Sequence, residues 1–579
     1  MSLRICLVTP FAWSQPHDVN EHVAGVAREL RALGHAVTVL APSSRAGDLL
    51  AGRRALNRGE QAEVIAVGPA IPVSRRSSLG VPMGVRANLW LALTQGAYDV
   101  VHGFEPGLPS ISYLALRDSE TLGVATFVSP ERLSYPPRRA LREKLLGRID
   151  ALLATSAETA AAAAVRFPGD YRVLSPGVDL ELFRPGTKRK LIAVELHSAS
   201  LPVARAALRS LRTLPDWQLV LLRTKPLTTR PTVPLALRDR VEVRAGRTAE
   251  ARAAVLAEAE IFSPAPTGSR RLLLEAAAAG AVVAAAPAAI TQPELAAAAI
   301  ARYADDPGLR ERKRAAAREE AERHGFPDVA RELDALYRSL ARRRRRPSAK
   351  RDAGPLAGRP WIVADLHMHT SWSHDCSIDV DELLDHARAE GLGAIAVTDH
   401  NVLGGALEAA ERARGRDLIV IPGEEVKTDG QGEVIGLFLR EEIPRGLSFA
   451  DTIAAIRDQG GLVYLPHPFD RMHAIPDPLT LHRHLAEVDV FEVYNARLLF
   501  EGYNDEAARF ARKYNLVAGA GSDAHVLPGV GTGALRMRRF EGPEEFLLSL
   551  RSAEVLRRPK SLAYLQSLKW VAQVKERVR

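Results

Sequence analysis

Histidines and acidic residues follow several short apolar runs in the C-terminal part of this chain. The run 362–366 predicts a short buried strand, and His367 and His369 come directly after it. In an extended segment, residues i and i+2 point to the same side, so the two imidazoles could bind one metal ion. A second apolar run, 394–397, leads to His400. We therefore expect two strand ends to deliver histidine to a common rim.

One helix is predicted between these two strands. Asp379 is typical of an N-cap, the helix covers 380–390, and Gly391 ends it. The result is a βαβ unit with metal-binding residue types at the C-terminal ends of its strands. Barrel enzymes place their chemistry at that end.

Five motifs of this region resemble the PHP family, the polymerase and histidinol phosphatase phosphoesterases. The first two lie in 365–401, and 422–425 (PGEE), 465–468 (LPHP) and 521–525 (GSDAH) follow in the family's order. The resemblance covers about residues 360 to 579. It implies a distorted (β/α)7 barrel that hydrolyses phosphate esters. The implied substrate is a small phosphorylated metabolite or the 5′ end of a short nucleic acid, as for a 5′-3′ exonuclease.

Further strands and helices alternate through the same region. Strands are predicted at 418–421, 433–439, 461–465, 488–493 and 517–518, with helices at 449–459 and 505–514. Nearly every candidate ligand is expected just after a strand, so that the ligands converge on one barrel rim. Four other histidines lack that placement and are predicted not to bind metal: His386, His473, His482 and His484.

The resemblance implies a cluster of two or three divalent ions, zinc, manganese or iron. Imidazole and carboxylate together suit such ions. The first ion would be bound by His367, His369, Glu425 and Asp523. The second would share Glu425 and take His467, and the third would take His400, His525 and either His374 or Asp375, with Asp375 preferred.

Glu433 is a predicted ligand that departs from the family pattern, in which many members have a histidine. A carboxylate can replace imidazole, but it lowers the net charge of the site and favours a harder ion. We therefore expect manganese to be favoured at the second site. The alternative is that Glu433 faces solvent at a strand start and binds nothing.

The predicted chemistry is hydrolysis. A divalent cluster lowers the pKa of a bound water towards ~7 and neutralises charge on phosphate oxygens. Asn495 and Arg497 are the candidate catalytic residues, and Arg497 is expected to hold the phosphate bidentately. A surface salt bridge is the alternative role for Arg497.

The N-terminal part predicts a second α/β architecture. Apolar strands at 4–8 and 35–40 flank a predicted helix at 20–33, and later strands are expected near 64–67 and 100–101. This order indicates an open parallel sheet with helices on both faces. The segments 1–42, 99–102 and 174–183 resemble family-4 glycosyltransferases of the GT-B architecture. The resemblance covers about 1–340 and implies a pair of doubly wound parallel sheets.

Four departures from that family fall on groups that would bind a nucleotide-sugar. Residues 16–18 (PHD) replace a Gly-Gly pair, and 128–129 (VS) replace a histidine. Glu195 stands where an arginine and lysine usually bind the diphosphate, and Thr267 stands where a glutamate binds the sugar. Glu275 matches the glutamate that binds the ribose, and it is the predicted cofactor-binding residue. A degenerate transferase is favoured over an active one with atypical donor binding.

Four segments are predicted: a GT-B N-terminal-like domain at 1–185, a C-terminal-like domain at 186–340, a basic linker at 341–360 and a PHP domain at 361–579. The stretch 315–340 predicts the closing helix of the second segment. The run Arg342 to Arg346 is either part of a solvated spacer or a tether for nucleic acid or anionic lipid headgroups.

Composition limits the remaining classes. The formal net charge of +9 makes acidic partners plausible, although the arginine run supplies much of it. No run of about 18 apolar residues is present, so no membrane-spanning helix is expected. Cys6 and Cys376 are the two cysteines, which excludes a disulfide framework and indicates a reducing cytoplasm. The last alternative is a scaffold in which neither part catalyses a reaction.

Overall fold

A computed structural model describes residues 2–60, 62–72, 80–81, 85–225, 231–265, 270–284, 293–344 and 354–558. The chain forms two compact units, Met1–Ala341 and Arg342–Arg579. The finer division of the chain into four segments stays a prediction.

The first unit alternates strands and helices. Its strands are β1 (Arg4–Val8), β2 (Ala36–Ser43), β3 (Val64–Pro69), β4 (Ile71–Pro72), β5 (Gly80–Val81), β6 (Val100–Phe104), β7 (Leu122–Phe127), β8 (Ala151–Ala154), β9 (Tyr171–Val173), β10 (Arg189–Leu196), β11 (Gln218–Arg223), β12 (Val241–Ala245), β13 (Ala259–Ser263) and β14 (Val282–Val283). Its helices are α1 (Asp18–Ala32), α2 (Ala46–Arg58), α3 (Arg86–Gly96), α4 (Ile111–Asp118), α5 (Arg139–Leu146), α6 (Ala157–Arg166), α7 (Leu201–Ser210), α8 (Ala249–Glu258), α9 (Arg270–Ala278), α10 (Pro293–Asp305), α11 (Pro307–Glu322) and α12 (Phe326–Arg343).

Two parallel sheets organise this unit. Their strand orders are β3-β2-β1-β6-β7-β8-β9 and β12-β11-β10-β13-β14. In each sheet the order reverses beside the strand that comes first in the chain, which is the doubly wound arrangement. Both faces are covered, so the central strands are almost continuously apolar, as in Cys6–Val8 and Leu191–Val194. The expected GT-B-like pair of sheets is confirmed.

The predicted single closing helix over 315–340 is wrong, because the chain forms α11 and α12 with a break between them. At the break, the Val178 amide donates to the His324 carbonyl, and the Phe326 amide donates to the Val178 carbonyl. These two bonds pair the connecting residues with a distant segment and interrupt the helix. Helix α12 continues to Arg343 and so includes the first residues of the predicted linker. Arg345 and Arg346 lie outside the described residues.

The second unit has nine strands and six helices among its described residues. The strands are β15 (Trp361–Met368), β16 (Ala394–His400), β17 (Ile419–Lys427), β18 (Glu433–Leu437), β19 (Leu462–Leu465), β20 (Val490–Asn495), β21 (Val517–Gly521), β22 (Gly533–Arg538) and β23 (Glu554–Arg557). The helices are α13 (Val380–Ala389), α14 (Gly404–Arg412), α15 (Phe449–Asp458), α16 (Pro478–His484), α17 (Glu501–Tyr514) and α18 (Gly542–Leu550).

The strands β15 to β21 lie side by side in chain order and close on themselves. Neighbours pair in parallel except at β18, which is antiparallel to β17 and β19. Met368 of β15 pairs with Ala524 just after β21, and the Asp523 amide donates to the His367 carbonyl over 2.7 Å. This closure forms the expected distorted seven-stranded barrel. The strand β22 pairs with β15 in antiparallel orientation, and β23 pairs with β22 in the same way.

Several strands of the barrel extend further than their apolar runs indicate. β15, β16 and β17 include His367, His400 and Glu425, which were expected just after strands. The ladder continues because Asp399 pairs with Glu424 and His400 pairs with Glu425. Polar residues therefore occupy the last strand positions, and the barrel wall itself holds them in place.

Candidate metal centre

The carboxyl-terminal rim of the barrel gathers all nine predicted metal ligands, which we call the rim cluster. Its members are His367, His369, Asp375, His400, Glu425, Glu433, His467, Asp523 and His525. Seven different strands or strand-following loops supply these side chains. Glu433 reaches this rim because β18 runs antiparallel, which places its first residue opposite Lys427 at the end of β17.

The first group of donors surrounds one oxygen of Glu425. The Nε2 atoms of His367 and His369 lie 3.3 and 3.5 Å from Glu425 Oε2. His369 Nε2 is also 3.4 Å from Asp523 Oδ1. All four residues are buried. This is the arrangement expected for the first ion.

The second group uses the other oxygen of Glu425. His467 Nε2 lies 3.0 Å from Glu425 Oε1 and 3.8 Å from Glu433 Oε2. His400 Nδ1 lies 4.0 Å from Glu433 Oε1. The Glu433 side chain is 18% exposed and therefore faces the cluster more than the solvent.

The third group joins His400, His525 and the loop after β15. His525 Nε2 lies 3.0 Å from Asp375 Oδ2, and His400 Nε2 lies 3.8 Å from Asp375 Oδ1. His374 is exposed, and its ring centroid is 5.7 Å from that of His400. Of these two residues, Asp375 lies nearer to the imidazoles of the third group.

Electrostatics within the cluster are strongly coupled. Burial raises the pKa of a carboxyl group, but the cations around Glu425 and Asp523, chiefly His367 and Arg497, hold the pKa of both well below its usual range. Burial lowers the pKa of His467, yet its hydrogen bond to Glu425 and the nearby carboxylates raise that pKa to about 9. The pKa of Glu433 is raised, first by burial and then by the charge of Glu425.

Arg497 and Asn495 adjoin this cluster. Arg497 Nη1 donates to Asp523 Oδ1 over 3.1 Å and lies 3.2 Å from His525 Nε2. The side-chain Nδ2 of Asn495 donates to Asp523 Oδ2 over 3.3 Å. Arg497 therefore lies beside the donors of the rim cluster, with which it forms an ion pair through Asp523.

Two buried carboxylates beside the cluster were missed from the sequence. Glu492 lies within the apolar strand β20, where a charged residue among apolar neighbours was an available signal. Asp399 accepts hydrogen bonds from the Thr370 amide at 2.7 Å and from the Ser373 hydroxyl at 2.8 Å. These bonds order the loop that carries Asp375.

The donor set fits divalent metal ions. His369 Nε2 is buried and has no hydrogen-bond partner among the described residues, although two carboxylate oxygens lie within 3.5 Å. The rim cluster contains four groups of three residues, and within each group the three donor atoms lie within 4.8 Å of one another. A nitrogen lone pair directed at carboxylates in a buried site is the arrangement that a cation would complete.

Three known protein families match separate segments of the chain. The PHP domain family matches residues 365–484, the PHP-associated family matches 501–555, and Glycosyltransferase Family 4 matches 19–182. The second unit therefore contains a PHP domain. In its first unit the chain is similar to family-4 glycosyltransferases, so the predicted fusion is confirmed.

Two curated relatives each match about a third of the chain. The chain is 35% identical over 214 residues to an uncharacterized protein of Methanocaldococcus jannaschii, covering 35% of this chain and 85% of that protein. It is 30% identical over 214 residues to a phosphatidyl-myo-inositol mannosyltransferase of Propionibacterium freudenreichii, covering 36% of this chain. This match spans half of that relative's length.

Two solved structures align with the chain at low TM-score. A glycosyltransferase from Rickettsia africae aligns with a TM-score of 0.43 at 15% identity over 58% of this chain and 98% of its own. A putative metal-dependent phosphoesterase from Bifidobacterium adolescentis aligns with a TM-score of 0.24 at 18% identity over 28% and 87%.

The histidines predicted as non-ligands of the PHP domain lie outside its donor groups among the described residues. His473 Nδ1 lies 2.8 Å from Asp470, His482 Nε2 lies 2.9 Å from the Tyr514 hydroxyl, and His484 Nδ1 lies 2.6 Å from Glu487. His386 Nε2 lies 3.9 Å from Glu390.

In the glycosyltransferase-like unit, the two glutamates singled out from the sequence have internal partners. Glu195 is buried and accepts hydrogen bonds from the Thr224 hydroxyl at 3.0 Å and from the Ala265 amide at 2.9 Å. Glu275 is 1% exposed and accepts from Arg252. Thr267 lies outside the described residues. No helix in the described ranges has the length and apolar character needed to cross a membrane.

Proposed function

We propose that the PHP domain of this chain hydrolyses phosphate esters with two or three divalent ions, zinc, manganese or iron. The observation that carries the proposal is the convergence of four overlapping donor groups on Glu425 and its neighbours at one barrel rim. Bound ions would supply Lewis acidity towards phosphate oxygens and would activate water for attack.

The protein's own groups would bind and orient the ester. The Arg497 guanidinium lies within 3.1 Å of Asp523 and presents further N–H donors that can bind phosphate oxygens. Asn495 holds Asp523 and, through its own side-chain oxygen, accepts the Arg497 amide at 2.9 Å. This pair would fix the direction of the guanidinium relative to the rim cluster.

The proposed substrates are a small phosphorylated metabolite or the 5′ end of a short nucleic acid. Both carry a terminal phosphate that the rim cluster and Arg497 could bind. Whether the enzyme is a phosphatase or a 5′-3′ exonuclease depends on the remainder of the substrate. Cys6 and Cys376 are the two cysteines of the sequence, and so low a number supports the proposal that it acts in a reducing cytoplasm.

We further propose that the glycosyltransferase-like unit is a shell without transferase activity. Glu195 uses both carboxylate oxygens on internal donors and places negative charge where a diphosphate would bind. An active transferase is the alternative, and the similarity to a mannosyltransferase over part of its length favours it.

Replacing His367 and His369 by Ala together tests the proposed hydrolase. Metal content by elemental analysis and phosphate release from a panel of phosphate esters should both fall to background, because one donor group loses two of its three members. The first unit should unfold as in wild type, since it has its own cores. Full activity in the double variant would contradict the proposal, and Ala at the exposed His374 is the matched control.

A further inference from the structure

Glu492 is a buried carboxylate of the PHP domain that accepts four hydrogen bonds. Its Oε1 accepts from the Tyr464 hydroxyl at 2.8 Å and lies 3.1 Å from His367 Nδ1. Its Oε2 accepts from the His467 amide at 2.6 Å and from the Asn495 side chain at 3.1 Å. Three of these four partner residues, His367, His467 and Asn495, belong to the proposed site.

The contact with His367 decides which ring nitrogen faces the cluster. A carboxylate only accepts, so His367 Nδ1 must carry a hydrogen and donate it to Glu492. The other nitrogen, Nε2, is the one that lies 3.3 Å from Glu425. A carboxylate partner of this kind fixes the orientation of a ligating imidazole and raises its basicity.

We infer that Glu492 is a positioning residue that orients two ligands of the rim cluster, His367 through its side chain and His467 through its backbone. The inference rests on the proposed metal-dependent function. At His467 the backbone has φ 24°, a left-handed conformation that is unusual for a residue with a side chain. The bond from the His467 amide to Glu492 helps to hold that conformation.

The test compares Glu492→Gln with Tyr464→Phe in the full chain. Both remove part of the same buried network, but Tyr464→Phe leaves the bonds to the two histidines intact. Affinity for Mn²⁺ or Co²⁺, measured by competition with a chelating dye, should fall about 10- to 100-fold for Glu492→Gln and little for Tyr464→Phe. The Co²⁺ absorption spectrum should change in the first variant alone.

Equal loss in both variants, or wild-type metal affinity in folded Glu492→Gln, would overturn this inference. If Glu492→Gln does not fold, Glu492→Asp retains the acceptor and should show an intermediate affinity. Metal binding is measured without turnover. Wild type that binds metal but hydrolyses no ester would therefore refute the proposed function alone.

A second, independent feature lies in the first unit, where a charge network joins its two halves. Glu21 lies on α1, packed against the first sheet, whereas Arg252, Arg271 and Glu275 lie on α8 and α9 beside the second. Arg252, Arg271 and Glu275 are each less than a tenth exposed. Two buried positive charges are thus balanced by two carboxylates.

Both guanidinium groups converge on the same oxygen of Glu21. Arg252 Nη2 donates to Glu21 Oε2 over 2.7 Å, and Arg271 Nη2 contacts the same atom. Both arginines also reach Glu275 Oε1, at 2.8 and 3.0 Å. Without Glu21, one buried positive charge would remain uncompensated beside a space of carboxylate size.

We propose that Arg252 and Arg271 form an oxyanion site that the chain fills with its own Glu21. The ligand class that matches two converging guanidinium groups is a phosphate or diphosphate. Glu21 thereby ties the two halves of the first unit together and occupies this site.

Glu21→Ala in the full chain, titrated calorimetrically with inorganic phosphate and diphosphate, tests this site. The variant should bind at least about tenfold more tightly than wild type, because one charge-assisted contact is released to the ligand. Glu29→Ala, on the same helix but outside the network, should behave as wild type. A folded Glu21→Ala variant that binds neither anion would overturn the proposal; Glu21→Ser replaces it if Ala prevents folding.

Discussion

The replacement of Glu433 by Ala, and separately by His, probes the most unusual proposed ligand of the rim cluster. Glu433 faces His400 and His467 from the first position of β18. Removing its carboxylate should weaken the second ion while leaving the first, which is built from other side chains. Replacement by His should restore a nitrogen donor and shift the preference from manganese towards zinc.

The size of the effect follows from the distances. Two ligands bound at about 2.1 Å to one ion are about 3.4 Å apart in tetrahedral geometry and about 4.2 Å apart when they lie on opposite sides. The Glu433 oxygens lie 3.8 and 4.0 Å from the two imidazole nitrogens, which is within this range. Loss of a residue that only hydrogen-bonds to a metal ligand costs about 10- to 100-fold in metal affinity. Loss of a direct ligand should cost at least about 100-fold, or about 2.7 kcal/mol.

Stepwise removal of metal by a chelator of known affinity measures this change ion by ion. Elemental analysis after each step gives the stoichiometry, and phosphate release with added Mn²⁺ or Zn²⁺ gives the preference. The matched control is Asp429→Ala, which removes an exposed carboxylate from the connection between β17 and β18.

The reasoning would be refuted if Glu433→Ala retained wild-type stoichiometry and affinity. It would also be refuted if Asp429→Ala lost metal to the same extent, because the effect would then reflect net charge and not ligation. If Glu433→His showed the same preference between Mn²⁺ and Zn²⁺ as wild type, this position would not select the ion.

Three further predictions concern the first unit and the arginine run. Calorimetric titration with UDP- and GDP-sugars should show no binding to wild type, and micromolar affinity for any of them would revive the transferase alternative. Changing Arg342 to Arg346 together to Ser should flatten the salt dependence of single-stranded oligonucleotide binding if the run contacts phosphates, because each neutralised phosphate releases a counterion; an unchanged slope, or no binding, would favour a plain spacer. Burial raises the pKa of Glu105 from 4.5 to about 8; Arg132 partly offsets this rise, and Asp18 reinforces it. Between these two pH values the folded state binds more protons than the unfolded state. The free energy of unfolding should therefore fall as pH rises through that window. Glu105→Gln should raise the unfolding temperature more at pH 8 than at pH 5, and an equal change at both would argue against a buried ionising group.

The sequence by itself determined the order of elements and most of the rim cluster. Apolar runs and N-cap residues are local signals, and the histidines next to those runs lie at the ends of the strands that the runs predict or just after them. Because barrel strands deliver their carboxyl ends to one rim, His367, His400 and His467 could be placed together without coordinates. The break between α11 and α12 was decided by two backbone hydrogen bonds that local patterns do not encode: the Val178 amide donates to the His324 carbonyl, and the Phe326 amide donates to the Val178 carbonyl.

The tertiary structure decided the contacts that depend on strand direction and closure. Glu433 faces the cluster because β18 runs antiparallel, and a run of apolar residues carries no information on direction. Glu492 meets His367 across 125 positions of sequence, and Glu21 meets Arg252 across 231. Such pairs form only when the barrel closes or the two sheets pack together. Periodicity reports how each segment is buried, whereas the partners of buried charges are set by how the segments assemble.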